Sequence, residues 1–245
     1  MNVLKKLCFL AAFCVLTSAF LAVHAENGAA PTELPDSPGA SYVGFGGQNE
    51  VPGNALHASP YAHVIKPTQI APPQSAADKV LMSLKSVGSI ENIGSSAFTA
   101  GWSHVWDSRP HYGTDSAGYG ERFGASLLKG ATQTISRDAI YGNIFHEDTR
   151  YYIRGRKYSI GNRAVYAASR VFVTKKDAGG NEIYLANIAA IATSNGLANL
   201  YYPTRDQGAS QTIKAFGMGF VTNALSNELR EFVGDAISLV IHKKK

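Results

Sequence analysis

The chain holds no cysteine beyond residue 14. Its two, Cys8 and Cys14, both sit in a segment expected to be removed. What remains therefore has no thiol nucleophile, no disulfide framework and no thiolate metal site. Cys14 is a poor lipid-attachment site, because Phe13 stands before it where a small residue is wanted. Proline is almost missing from the C-terminal two thirds, where only Pro110 and Pro203 occur. Charge is sparse as well, with Asp, Glu, Lys and Arg making up 17% of the chain. The Gly-x-Ser-x-Gly turn of serine hydrolases is absent, as are the His-Glu-x-x-His zinc helix and the Gly-rich lysine loop that cradles phosphate.

What is present begins with an export signal. Lys5 and Lys6 precede an apolar run from Leu7 to Val23, and Val23-His24-Ala25 places small residues at the −3 and −1 positions of a cleavage point. The expected mature chain starts at Glu26 and works outside the cytoplasm, in the periplasm or cell envelope. It carries 21 basic and 18 acidic residues, a net charge of +3. Residues 26–120 hold 4 basic and 8 acidic residues, whereas residues 121–245 hold 17 and 10. A basic half on an exported protein suits anionic lipid or an envelope polymer better than nucleic acid. No cofactor is expected, and the composition leaves a homo-oligomer open.

Eight of the ten prolines fall between Pro31 and Pro73, amid glycine and alanine. No helical periodicity survives there, so residues 26–74 read as a disordered or loosely docked leader. Within it only Ser41–Phe45 has the pattern of an edge strand. Order is expected to begin near Ser75, where Ser75 and Asp78 form a capping pair ahead of Val80, Leu81 and Leu84. Phe98, Trp102 and Trp106 recur every four residues and are expected to be a core-facing helical stripe.

The main body, residues 117–241, reads as four helices near Ala117–Ile144, Ser159–Lys175, Glu182–Tyr201 and Ala209–Ile241. The first is expected to turn Phe123, Leu127, Leu128, Thr134, Ile135 and Ile140 inward. Small residues recur at i, i+4: Gly120/Gly124, Ala164/Ala168, Ala186/Ala190/Ser194/Ala198 and Ala215/Gly219/Asn223. Such rows let helix backbones approach closely. The expected fold class is therefore all-α: a small-residue-rich helical bundle, residues 75–245, behind a Pro/Gly-rich leader. Ile183–Tyr202 is a 20-residue stretch without formal charge, long enough to span a bilayer. Asn187, Asn195 and Asn199 interrupt it, and each needs a partner if buried. A packed bundle lying against a membrane accounts for these residues better than an integral membrane protein does.

Two constellations are candidates for chemistry. The first is His146, Glu147, Asp148 and Arg150, between two expected helices, where a histidine beside carboxylates suits a proton relay or a metal. The same residues also suit a capped and ion-paired hinge. The second is His104, Asp107 and His111, with Asp115 beyond. The His104–Asp107 spacing puts two metal-ligand types on one helical face.

Four segments carry a resemblance: Gly118–Gly124 (Gly-Tyr-Gly-Glu-Arg-Phe-Gly), Glu147–Tyr152 (Glu-Asp-Thr-Arg-Tyr-Tyr), Arg170–Gly180 and Asn199–Pro203 (Asn-Leu-Tyr-Tyr-Pro). In that order they resemble a group of uncharacterised exported helical proteins of environmental bacteria, over roughly residues 100–240. The resemblance implies export and a helical body, and it implies no assigned activity. The leading expectation is a non-enzymatic envelope protein associating with membrane or another envelope component. The alternatives are an envelope hydrolase or metal-dependent enzyme centred on His146, and an integral membrane helical protein.

Overall fold

In the computed structural model the described residues run from 56 to 242, with side chains described to 235. The signal segment, the leader up to residue 55, Ser41–Phe45 and the terminal lysines lie outside them. The described part is mostly helical. Six helices follow one another: α1 (Ala76–Val87), α2 (Ile90–Val105), α3 (Ser116–Ile135), α4 (Ile160–Ser169), α5 (Leu185–Ala198) and α6 (Ala209–His242).

The starts of the first four helices are written in the sequence. Ser75, Ser89, Asp115 and Ser159 each accept a hydrogen bond from the backbone N–H three residues on. At α1 the box is complete, because Asp78 returns the bond to the Ser75 N–H. Helix α3 does not stop at Ile135. It widens into a π-helical turn over Ser136–Tyr141 and closes with one ordinary turn over Gly142–Ile144. The full run reproduces the expected helix to residue 144.

The leader boundary needs correction. Residues 56–74 carry three short strands, β1 (Leu56–His57), β2 (Val64–Ile65) and β3 (Gln69–Ile70). β1 pairs in parallel with β3, and β2 pairs in parallel with β5 (Tyr151–Tyr152), Val64 opposite Tyr151 and Ile65 opposite Tyr152. Ile65 and Ala58 are buried. Proline excluded helix from this stretch but does not prevent two-residue edge strands, which need few backbone donors.

The helix expected to end at Lys175 is also shorter. Val173–Lys176 is strand β6, turning at Gly179 and Gly180 (φ 92° and 87°) into β7 (Asn181–Ile183), with β4 (Glu147–Asp148) on its other edge. The run Val171-Phe172-Val173-Thr174 is aromatic and β-branched, and it precedes a turn that only glycine adopts cheaply. The turn signal was legible, and it closes a hairpin rather than a helix.

Helix α2 packs on α3, α3 and its π turn pack on α5, and α4 packs on α6. Of the four small-residue rows, Ala186/Ala190/Ser194/Ala198 is buried throughout. Ile191, on the same helix but outside the row, meets α6 at a point of very close approach: a Cβ on Gly219 would stand 2.5 Å from its Cγ2. Gly120, by contrast, has nothing within 4 Å, and Ala168 is exposed. Ile140 is exposed, against the inward position expected for it. The aromatic stripe is a further correction. Phe98, Trp102 and Trp106 do share a face, with centroids 6.3 and 5.8 Å apart, but they are 71%, 59% and 66% exposed. No helix among the described residues is long and apolar enough to cross a membrane.

Candidate binding cavity

The first sequence candidates are held in structural bonds. His146 is exposed and lies in the left-handed region (φ 56°), ending the helical run that began at Ser116. Its carbonyl accepts the Asp177 N–H. Glu147 is fully buried, and its carboxylate accepts the N–H groups of Leu185 and Ala186 at 2.9 and 3.0 Å, capping α5. Burial pushes the Glu147 carboxyl up to about 6, against the lowering effect of those two bonds. Asp148 holds Arg150 through both oxygens at 2.9 and 2.8 Å and accepts the Tyr152 hydroxyl. Arg150 reaches on to the Pro72 carbonyl, tying the former leader to the body.

The second set is dispersed. The His104 ring meets the Tyr119 ring edge-on. Asp107 closes α2 at φ 40° and pairs with Arg122 at 2.7 Å. His111 pairs with the buried Asp206, at 2.8 Å through both its backbone N–H and Nδ1. Each takes a different partner because Pro110 and the end of α2 turn the three away from one another. No group of three metal-ligating side chains converges among the described residues.

A cavity of 810 Å³ opens elsewhere, between the β2 segment, α2, the π turn of α3, the Thr149–Ile153 segment and α6. Of the two sequence sets only Arg150 lines it. One wall is an ion-paired triad. Arg137 donates from Nε and Nη2 to the two oxygens of the fully buried Asp138, at 2.7 and 2.9 Å. Its Nη2 also lies 2.7 Å from His63 Nε2. A guanidinium only donates, so Nε2 accepts and the imidazole proton sits on Nδ1. Asp138 Oδ2 stands 3.2 Å from the same Nε2, since both atoms gather around one Nη2 group. Burial lowers the His63 pKa and keeps the ring neutral, against the opposing pull of Asp138. For Asp138, burial acts upward, but the charge of Arg137 beside it outweighs burial and holds the carboxyl below its ordinary range.

Three groups on this wall end without partners. His63 Nδ1 has none, and neither does the Thr149 hydroxyl. Arg170 is 6% exposed and has no hydrogen-bond or ion-pair partner among the described residues; its guanidinium lies 6.0 Å from the Tyr166 ring centroid. Beside them the amides satisfy one another. Gln133 donates to Asn223, Asn223 to Asn187, and Asn187 to the Val171 carbonyl, at 3.1, 3.0 and 3.0 Å. Of the three asparagines that interrupt the uncharged stretch, only Asn187 faces this cavity. Asn195 and Asn199 bond back to carbonyls of their own helix.

The other cavity arginines have anions of their own: Arg137 with Asp138, Arg150 with Asp148, and Arg230 with Glu91 at 3.1 Å. Arg170 is the buried cation left over. A buried charge without a counterion is costly, and the two other unpartnered groups that line the same cavity, His63 Nδ1 and the Thr149 hydroxyl, offer an N–H and an O–H. Sequence reading passed over all three. His63 lay in the proline-rich stretch, Arg170 fell inside the helix expected over Ser159–Lys175, and Thr149 is adjacent to better-known residue types. The one available signal was Ser136-Arg137-Asp138 interrupting an apolar helical run.

No protein-family model, curated protein or solved structure matches the chain.

Proposed function

We propose that this chain is an exported, non-enzymatic binding protein of the cell envelope. Its small-residue-rich helical bundle, carried behind a Pro/Gly-rich leader, takes an anionic envelope component into the cavity beside Arg170. The observation that carries this reading is Arg170 itself, a buried guanidinium on the wall of an 810 Å³ space without a counterion. The neutral His63, with its Nδ1 proton free, and the unpartnered Thr149 hydroxyl supply further donors at no cost in charge. The predicted signal segment and the resemblance to exported helical proteins support the location, and the excess of basic residues beyond residue 120 supports an anionic partner.

The test uses 1-anilinonaphthalene-8-sulfonate, a singly charged anion that fluoresces when bound. It is expected to saturate one site and to bind about tenfold less tightly to the Arg170→Met variant, the loss typical of one charge-assisted hydrogen bond. The variant's melting temperature should stay level or rise, because an unpaired buried charge has been removed. Equal affinity in the two proteins overturns the proposal.

A further inference from the structure

The cavity has more room than a small inorganic anion needs. Its 810 Å³ lies in the range of sites for organic ligands, while one water occupies about 30 Å³. Its chemistry is also lopsided. Arg170, Thr149, Tyr184 and Asn187 form a buried polar wall, whereas Phe98, Leu229 and Val233 border the cavity from exposed positions on α2 and α6. A second, apolar recess of 490 Å³ shares Leu229 and Val233 with it and is otherwise lined by Leu225, Phe232 and Glu228. One polar site thus continues into an apolar groove along α6.

We infer that the ligand is a singly charged, single-chain amphiphile, a fatty-acid-type carboxylate. Its head would meet Arg170, His63 Nδ1–H and the Thr149 hydroxyl, and its hydrocarbon chain would run past Leu229 and Val233. This rests on the anion-binding reading above and adds the ligand's class and direction. The charge count favours a single negative charge, because every other buried cavity arginine already holds a carboxylate. Direction follows from the recess itself, whose lining is almost wholly apolar and offers an anionic head no cation, which leaves that end to hydrocarbon. The tail would cover apolar side chains that otherwise face water, which is the favourable part of taking up the chain.

The experiment is calorimetric titration of the full mature chain with dodecanoate, butyrate, dodecanol and dodecyl phosphate, each below its aggregation limit. Dodecanoate is expected to bind one to one. Butyrate should bind at least about a hundredfold more weakly, since the tail methylenes contribute most of the affinity. Dodecanol should bind about tenfold more weakly for want of charge. Dodecyl phosphate should gain nothing over dodecanoate, because no second buried cation on the cavity wall lacks a counterion and Lys66 at its edge is exposed to water. Leu229→Ser with Val233→Ser should weaken dodecanoate several-fold and leave butyrate unchanged. Both residues are exposed, so the fold should tolerate the pair. Equal binding of butyrate and dodecanoate, or tighter binding of dodecyl phosphate, overturns this inference while leaving the anion site standing. If neither carboxylate binds, the inference fails; the sulfonate titration of Arg170→Met then decides the anion site separately.

Discussion

Buried charges in this protein come with partners chosen at short range, and the exceptions are what point to function. Lys79 is 1% exposed yet donates to the carbonyls of Gly142 and Glu147 and to Asp177, at 3.0, 2.9 and 2.6 Å, closing the end of the long helical run. Glu231 is 2% exposed and accepts from Tyr151, Arg154, Gly155 and Arg163, so it rivets α6 to the Tyr151–Gly155 segment and α4. Against that background an unpaired Arg170 stands out. Glu147 is the buried acid whose titration should be visible. Its folded-state pKa is raised, so protonation favours the folded state. That contribution is complete below the ordinary value near 4.5 and is lost as pH rises through about 6. Urea unfolding at a series of pH values should therefore show stability falling across that window in the native chain. Glu147→Gln, which keeps an acceptor for α5, should lack the fall. Asp138 and Asp148 have lowered values and act in the opposite sense, losing their contribution at more acid pH. Superimposable profiles for the two proteins would show that Glu147 does not titrate as described.

At the scale of elements, the helix caps were legible because a cap needs only a side chain and the N–H three residues away. Small-residue rows were legible as patterns but not as contacts. The row on α5 is buried, but Gly219 on α6 meets Ile191 beside it rather than the row, while Gly120 has nothing close and Ala168 is exposed. Spacing says which residues share a face, and only the neighbouring element decides whether that face is covered. The same holds for Phe98, Trp102 and Trp106, a correctly read stripe left facing water. Two glycines of one helix separate the effects. Gly219→Ala would drive a methyl to 2.5 Å from the β-branched Ile191, and should destabilise by about 1–3 kcal/mol. Gly217→Ala meets nothing within 4 Å and should stabilise by up to about 1 kcal/mol through helix propensity. Chemical denaturation of both variants checks the pair, and equal shifts would mean that α5 and α6 do not approach so closely.

The whole molecule presents two surfaces of different kind. Exposed apolar residues line α2 at Ile90, Phe98, Trp102, Val105 and Trp106, and α6 at Ile213, Val221, Leu225 and Leu229. An apolar surface of that extent, on a chain with an excess of basic residues and proposed to be exported, suits contact with an anionic membrane face. Trp102 and Trp106 are the protein's two tryptophans, so their emission reports on α2 alone. Adding vesicles rich in anionic lipid should shift that emission to shorter wavelength. Co-sedimentation should fall several-fold between about 50 mM and about 500 mM salt, as screening shortens the reach of the basic residues. Binding without any emission change would place the contact away from α2.

Composition and local pattern alone establish that the described part of this chain is mostly helical, where its first helices begin, that its small residues fall in rows, and that no cysteine lies beyond residue 14. These properties depend on neighbours a few residues apart, and a reader of the chain has those in view. The cavity depends on neighbours far apart. His63 meets Arg137 across 74 positions, and Arg150 meets Pro72 across 78. Whether Arg170 is a solvated surface charge or a buried one depends on which helices close around it. Burial and counterions are properties of packing, so tertiary structure alone decides that Arg170, among the described arginines lining the cavity, has no carboxylate beside it.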